Sequence, residues 1–198
     1  QRGKVKLYTI DDIIENENIG LIDLSNPRFN IIKQKYPKSI KILEYFVSQG
    51  YKIYSELGLF SFKFLISGTS DIVLIKDNIY FVIIDWKTNA APIMFRSGHF
   101  EKDINGNLTN NFIYEEKFCK YPLNKFESSI GNKMKFQLGS YAQLLELKGL
   151  TCQGLFISHL QEGGDELIPI NYDSNLIFKL FNFHYNTRIA NKEIIRII

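Results

Sequence analysis

The chain has 198 residues, 45% of them hydrophobic and 14% aromatic, which is enough to bury one sizeable core, so a single domain over 1–198 is expected. A formal charge of +3 suits contact with phosphate backbones without demanding it. Cys119 and Cys152 are far apart, with no CxxC pair and no histidine at metal spacing, so nothing indicates a disulfide framework or a zinc or iron–sulfur centre.

No apolar run approaches the ~18 residues of a membrane span, and Gln1-Arg2-Gly3-Lys4 lacks the shape of a signal peptide. Unpaired cysteines and an Asn-, Ile- and Lys-rich composition lead to the expectation of a cytoplasmic protein of a bacterial or phage-infected cell, with no membrane partner. The missing initiator Met leaves an upstream segment open.

Residues 1–37 are the least legible stretch, polar and interrupted by Pro27 and Pro37. From there Ile40, Leu43 and Val47 recur at helical spacing and Gly50 provides a stop, predicting a helix over 38–49. Two β-rich runs follow, Tyr51–Ile66 and Asp71–Ile75, with a break expected at Ser67-Gly68-Thr69-Ser70. A third strand, Ile79–Lys87, comes after a Lys76-Asp77-Asn78 turn. Residues 90–133 show no sustained period and read as an insertion, a lid or threading element. Leu138, Tyr141, Leu144 and Leu145 then predict a helix over Met134–Leu147. Gly154–Leu160 and Leu167–Tyr172 read as a strand pair about a Gly163-Gly164 turn, and Leu176–Ile189 as a closing helix. The class is α/β, with helices on a mixed sheet.

Side chains alternate along a strand, so Ile79, Phe81, Ile83, Asp85 and Lys87 share one face and Tyr80, Val82, Ile84 and Trp86 the other. A carboxylate and an ammonium at the end of so apolar a strand are costly unless they line a cleft. The 77–78 turn folds the strand beyond Asp71 back on the one carrying Asp85. Two aspartates and a lysine meet the needs of a hard cation, which takes one or two carboxylates plus water and phosphate oxygens. Lys87 would then orient or help deprotonate the attacking water. Taken alone, Asp85-x-Lys87 is equally an ion pair at a strand end.

The ordered set Gly68-Thr69-Ser70-Asp71, Ile83-Ile84-Asp85-Trp86-Lys87-Thr88 and Gln137-Leu138-Gly139-Ser140-Tyr141 resembles the RecB-type branch of the PD-(D/E)XK nuclease superfamily over about residues 40–160. That branch includes phage, helicase-associated and mitochondrial-genome-maintenance exonucleases. The resemblance implies a restriction-endonuclease-like core, a central mixed β-sheet flanked by helices, with the insertion falling between the third core strand and the QxxxY helix. It implies that Asp71 and Asp85 bind one or two Mg²⁺ or Mn²⁺ ions, that the backbone carbonyl of Trp86 can add to them, and that Lys87 is the catalytic lysine. Gln137 and Tyr141, one helical turn apart, would face the nucleic acid backbone.

The implied activity is metal-dependent hydrolysis of single- or double-stranded DNA. An exonuclease of recombination, repair or phage DNA processing is expected, working beside a helicase or another replication or recombination protein. A nuclease fold that binds nucleic acid or scaffolds without catalysis, and an RNA endonuclease of the same fold, are the alternatives.

The family's upstream histidine ligand is missing, since no His precedes His99, and the four-cysteine cluster set is absent too. Glu44, about 40° around its helix from Ile40, and Glu56, which resembles a glutamate of the family's first strand, are the candidate replacements. Lys117, Lys120 and Lys125, with Phe112, Tyr114, Phe118, Tyr121 and Phe126 as stacking partners, either line a DNA groove or are solvated. His99, His159 and His184 are expected to have structural or surface roles.

Overall fold

The computed structural model describes residues 8–190, so the opening Gln1–Lys4 lies outside the described residues. One mixed sheet of six strands organises the chain, in the order β1 (Tyr8–Thr9), β2 (Lys52–Ser61), β3 (Ile66–Lys76), β4 (Tyr80–Lys87), β7 (Thr151–Gln161), β8 (Gly164–Pro169). The pairs β1/β2 and β4/β7 are parallel and the other three are antiparallel. The remaining strands, β5 (Gly98–Lys102) and β6 (Leu108–Tyr114), make a separate hairpin.

Helices cover both faces. On one, α1 (Ile10–Glu15), α4 (Ile130–Glu146) and α5 (Ser174–Ala190) pack Ile13, Leu138 and Phe181 onto Phe81, Ile83 and Ile157. On the other, α2 (Phe29–Lys35) and α3 (Pro37–Ser48) pack Ile32, Ile40 and Leu43 onto Val82 and Ile84. The alternation read along β4 is therefore the division of the core into two layers. None of the helices among the described residues is long and apolar enough to cross a membrane.

Several expected boundaries move for identifiable reasons. The helix expected from Met134 starts four residues earlier, because Ser129 caps it by accepting from Asn132 N–H at 3.1 Å. Pro37 opens α3 instead of merely interrupting, its missing N–H costing nothing in a first turn. The least legible stretch holds β1, α1 and α2, with a Thr9–Asp12 capping box starting α1.

The break expected at Ser67–Ser70 is absent: these residues pair with Phe60, Leu59, Gly58 and Leu57 inside β3. The chain turns instead at 62–65, where Leu65 takes a φ of 55° and Phe64 is buried. The small residues serve close packing: Ser70 is fully buried, and Tyr141 lies directly across Gly68. The Asp77-Asn78 turn is as expected, both residues at positive φ with Ile79 N–H bonded to Lys76 O, within a three-residue connection between paired Lys76 and Tyr80.

Candidate active site

Asp85 and Lys87 emerge on the α4 face at the carboxyl end of β4, where ligands gather in α/β sheets. Asp85 is only 2% exposed. Its Oδ2 is ion-paired with Lys87 Nζ at 2.5 Å and has no hydrogen-bonding partner besides. Burial pushes the Asp85 carboxyl above the usual carboxylate range, Lys87 pulls it back, and the charge of Asp71 pushes it up again.

Asp71 reaches this position because two strands part. The ladder between β3 and β4 ends at Ile72↔Ile84, and one step further the register would set Asp71 opposite Asp85. There the Asp71 carboxylate, not its backbone, completes the pairing, Oδ2 accepting from Trp86 N–H at 2.9 Å. The β2–β3 pair bends at the same level. Ser55↔Ile72 and Leu57↔Ser70 flank a skipped pair, Glu56 and Asp71, and Glu56 has a φ of 53°. Before the bend Ile53 joins the α3-side core, and after it Leu57 and Leu59 join the α4-side core. The face of β2 therefore switches at Glu56, so unbroken alternation does not describe this strand. The register places Glu56, Asp71 and Asp85 side by side on β2, β3 and β4, with the Glu56 side chain exposed.

The α4 helix closes the site from above. Gln137 Nε2 donates to Tyr141 Oη at 3.0 Å. Burial raises the Tyr141 phenol, Gln137 opposes this, and the nearby charges of Asp85 and Asp71 raise it further. The four motif residues Asp71, Asp85, Gln137 and Tyr141, together with Lys87, therefore meet in one place.

Glu44 does not join them. It stands on α3, whose buried residues pack on the opposite face of the sheet, and it is ion-paired with Lys33 among exposed side chains. Glu44→Ala should change stability by no more than about 0.5 kcal/mol, as expected for an exposed pair, and a thermal melt would show it. Among the described residues no three His, Cys, Asp or Glu side chains gather closely enough to hold a metal ion. The acidic donors in place are Asp71 and Asp85, a set that fits a hard cation completed by water and phosphate oxygens.

His159 has the structural role expected of it, though its place beside the site was not foreseen. It pairs in register with Lys87 on the parallel neighbour β7, is fully buried, and its Nε2 lies 2.7 Å from Asn89 O, pinning the chain just beyond Lys87. Its position after Leu155 and Ile157 on one strand face was readable; that β7 lies beside β4 was not.

Within the insertion, Lys117 is exposed and paired with Glu115, and Lys120 is exposed. Lys125 shares a shallow groove with Lys179 of α5. Three of the expected stacking rings contact other rings of the protein edge to face: Phe112 on Phe100, Tyr121 on Phe183 and Phe126 on Phe136. Neither a protein-family model nor a curated protein matches the chain.

Proposed function

We propose that the chain is a metal-dependent nuclease of the PD-(D/E)XK type that hydrolyses DNA phosphodiester bonds. The observation that carries this reading is the convergence of Asp71, Asp85 and Lys87 at the fork between β3 and β4, beneath Tyr141. An isolated surface ion pair would explain none of the burial of Asp85, the strand bend or the second carboxylate.

In this reading Asp71 and Asp85 hold Mg²⁺ or Mn²⁺, with the Trp86 carbonyl available beside them. The bound ion would lower the pKa of a water and neutralise charge on the phosphate. Lys87 keeps a cation at the point where negative charge grows on the phosphoryl oxygens, and it orients the attacking water. Gln137 and Tyr141 present an amide and a phenol to the strand backbone, fixing the phosphate over the carboxylates. Glu56 stands at the same level of the register, but its exposed side chain does not complete a cluster of three carboxylates with Asp71 and Asp85. Exonuclease action in recombination, repair or phage DNA processing, beside a helicase or similar partner, is the biological setting proposed.

The test is cleavage of labelled single-stranded DNA, double-stranded DNA and RNA with Mg²⁺, Mn²⁺ or EDTA, comparing the native chain with Asp85→Ala and Lys87→Ala. Metal-dependent cleavage of DNA, lost in both variants, is expected. Cleavage that survives both would sink the mechanism. A native chain that binds but does not cut would favour a binding module, and preference for RNA would redirect the substrate.

A further inference from the structure

The insertion between β4 and α4 builds a second feature that the carboxylate site does not use. A groove of about 840 Å³ opens between the β5–β6 hairpin and the first turn of α4. Arg96, Lys102 and Lys133 line it and are exposed, against one lining carboxylate, Glu101. Glu101 already accepts from Asn111 Nδ2 at 2.6 Å. None of the three cations forms an ion pair among the described residues; Arg96 instead lies over the Tyr114 ring, 4.7 Å from its centroid. Half-buried Phe100 and Phe112, edge to face at 5.1 Å, supply the apolar part of the lining.

The wall is held rigidly for a segment that shows no period in sequence. Buried Ser97 donates from N and Oγ to Glu127 Oε2 and accepts from Lys117 N–H. Asn132 Nδ2 on α4 donates to Phe95 O, and Gly131 N–H to Met94 O. Gly98, at φ 147°, passes so close to Ile113 O that a Cβ would lie 2.0 Å from it, so only glycine lets the hairpin close there.

The groove also leads to the carboxylates. Lys133, Gln137 and Tyr141 follow one another at four-residue intervals along a single stripe of α4. Lys133 lies in the groove, while the Tyr141 ring lies against Gly68 of β3, the strand that carries Asp71. Ala91 and Pro92, shortly after Lys87, form part of the groove lining.

We propose that this groove seats a single strand of nucleic acid and leads it along the Lys133–Gln137–Tyr141 stripe to Asp85 and Lys87; the delivery, though not the binding, rests on the nuclease reading. Unneutralised cations beside aromatic faces are the chemistry that holds single strands without regard to sequence. The volume is that of a pocket for one modest ligand, room for a few nucleotides of one strand and not for a duplex.

The experiment is fluorescence anisotropy in EDTA with labelled oligothymidylate, oligouridylate and the thymidylate–adenylate duplex, comparing the native chain with R96A/K102A/K133A. Loss of three phosphate contacts should weaken single-strand binding about tenfold or more at ~0.1 M salt and flatten the slope of log K against log salt by about two. Should the triple variant lose its native circular dichroism, Lys133→Ala alone, on an exposed helix position, should flatten the slope by about 0.7. Unchanged affinity and slope would overturn the proposal, as would a duplex bound as tightly as the single strand. Tighter binding of thymidylate or of uridylate supports the groove either way and identifies the sugar. Failure of the nuclease reading would appear differently, as single-strand binding that depends on the three cations with no metal-dependent cleavage.

Discussion

Asp85→Asn is expected to abolish cleavage and to stabilise the protein in the same stroke. On the nuclease reading, losing the carboxylate would remove a metal ligand and the ion-pair partner of Lys87, a change of about 10²- to 10³-fold or more in rate for a group acting on developing charge. Stability moves the other way. The folded protein holds the Asp85 carboxyl above its unfolded value, chiefly through burial. A raised carboxyl favours folding at low pH, and that contribution is lost as pH rises through the folded pKa. At neutral pH the buried charge therefore works against the fold, with Asp71 adding to the cost.

Asparagine keeps the shape without the charge, and a gain of about 0.5–2 kcal/mol is expected, the size of stabilising changes found where function imposes strain. Thermal melts should show a midpoint higher by a few degrees near pH 7, with the difference shrinking as the pH is lowered and the native carboxyl takes up its proton. Added Mg²⁺ or Mn²⁺ at a hundred times its dissociation constant should stabilise the native chain by about 2.7 kcal/mol, raising its midpoint, and leave the midpoint of Asp85→Asn unmoved. A variant that is less stable than the native chain at every pH, or one that responds equally to the metal, would refute this account of the site.

The second large effect comes from Gly68→Ala. The backbone there is ordinary strand and tolerates alanine, but the new Cβ would sit 2.6 Å from Cε1 of Tyr141. The ring is half-buried and tied to Gln137 through its hydroxyl, so it must swing as a unit. Overpacking of this kind costs about 1–3 kcal/mol. Displacing Tyr141 from above Asp71 and Asp85 should lower cleavage by up to about 10²-fold, the penalty for a positioning group moved by an ångström.

A double-mutant cycle separates this contact from a general weakening of β3. With Tyr141→Ala already in place the clash is gone, so adding Gly68→Ala should cost little in stability or rate. Costs that simply add across the two substitutions would show that the glycine matters for some other reason. The same contact explains why Gly68 stands in a strand interior, where glycine is otherwise unfavourable.

Much of the scaffold was legible because its signals are local. The apolar alternation of β4, the Asp77-Asn78 turn and the helical spacing about Leu138 and Leu145 each follow from neighbouring residues and appear where expected. The turn expected at Gly163-Gly164 instead falls at 162–163, with Gly164 already paired to Gln161 and β8 starting three residues before the expected Leu167. Strand parity alone made Asp85 and Lys87 neighbours. The failures share a cause: residues whose role is set by something distant in sequence. Ser67–Ser70 has turn composition, yet it is paired strand, and Gly68 within it answers to Tyr141 some seventy residues later. Glu44 sits beside an apolar stripe, but that stripe faces the other side of the sheet. Residues 90–133 lack a period because hydrogen bonds from Ser97, Glu127 and Asn132, not a repeating apolar face, hold them.

By itself, then, the sequence determined α3, α4 and α5, the strands β2, β3, β4, β7 and β8 in outline, the two faces of β4 and the pair Asp85–Lys87, because short-range periodicity and turn chemistry carry that information. Only the tertiary structure decided that β3 parts from β4 at Asp71, that Glu56 stands in the same row, that His159 pins the chain beyond Lys87, and that Arg96, Lys102 and Lys133 share a groove. Those are matters of register between strands and of loops closing over a helix end, where contacts are specified jointly by residues far apart along the chain.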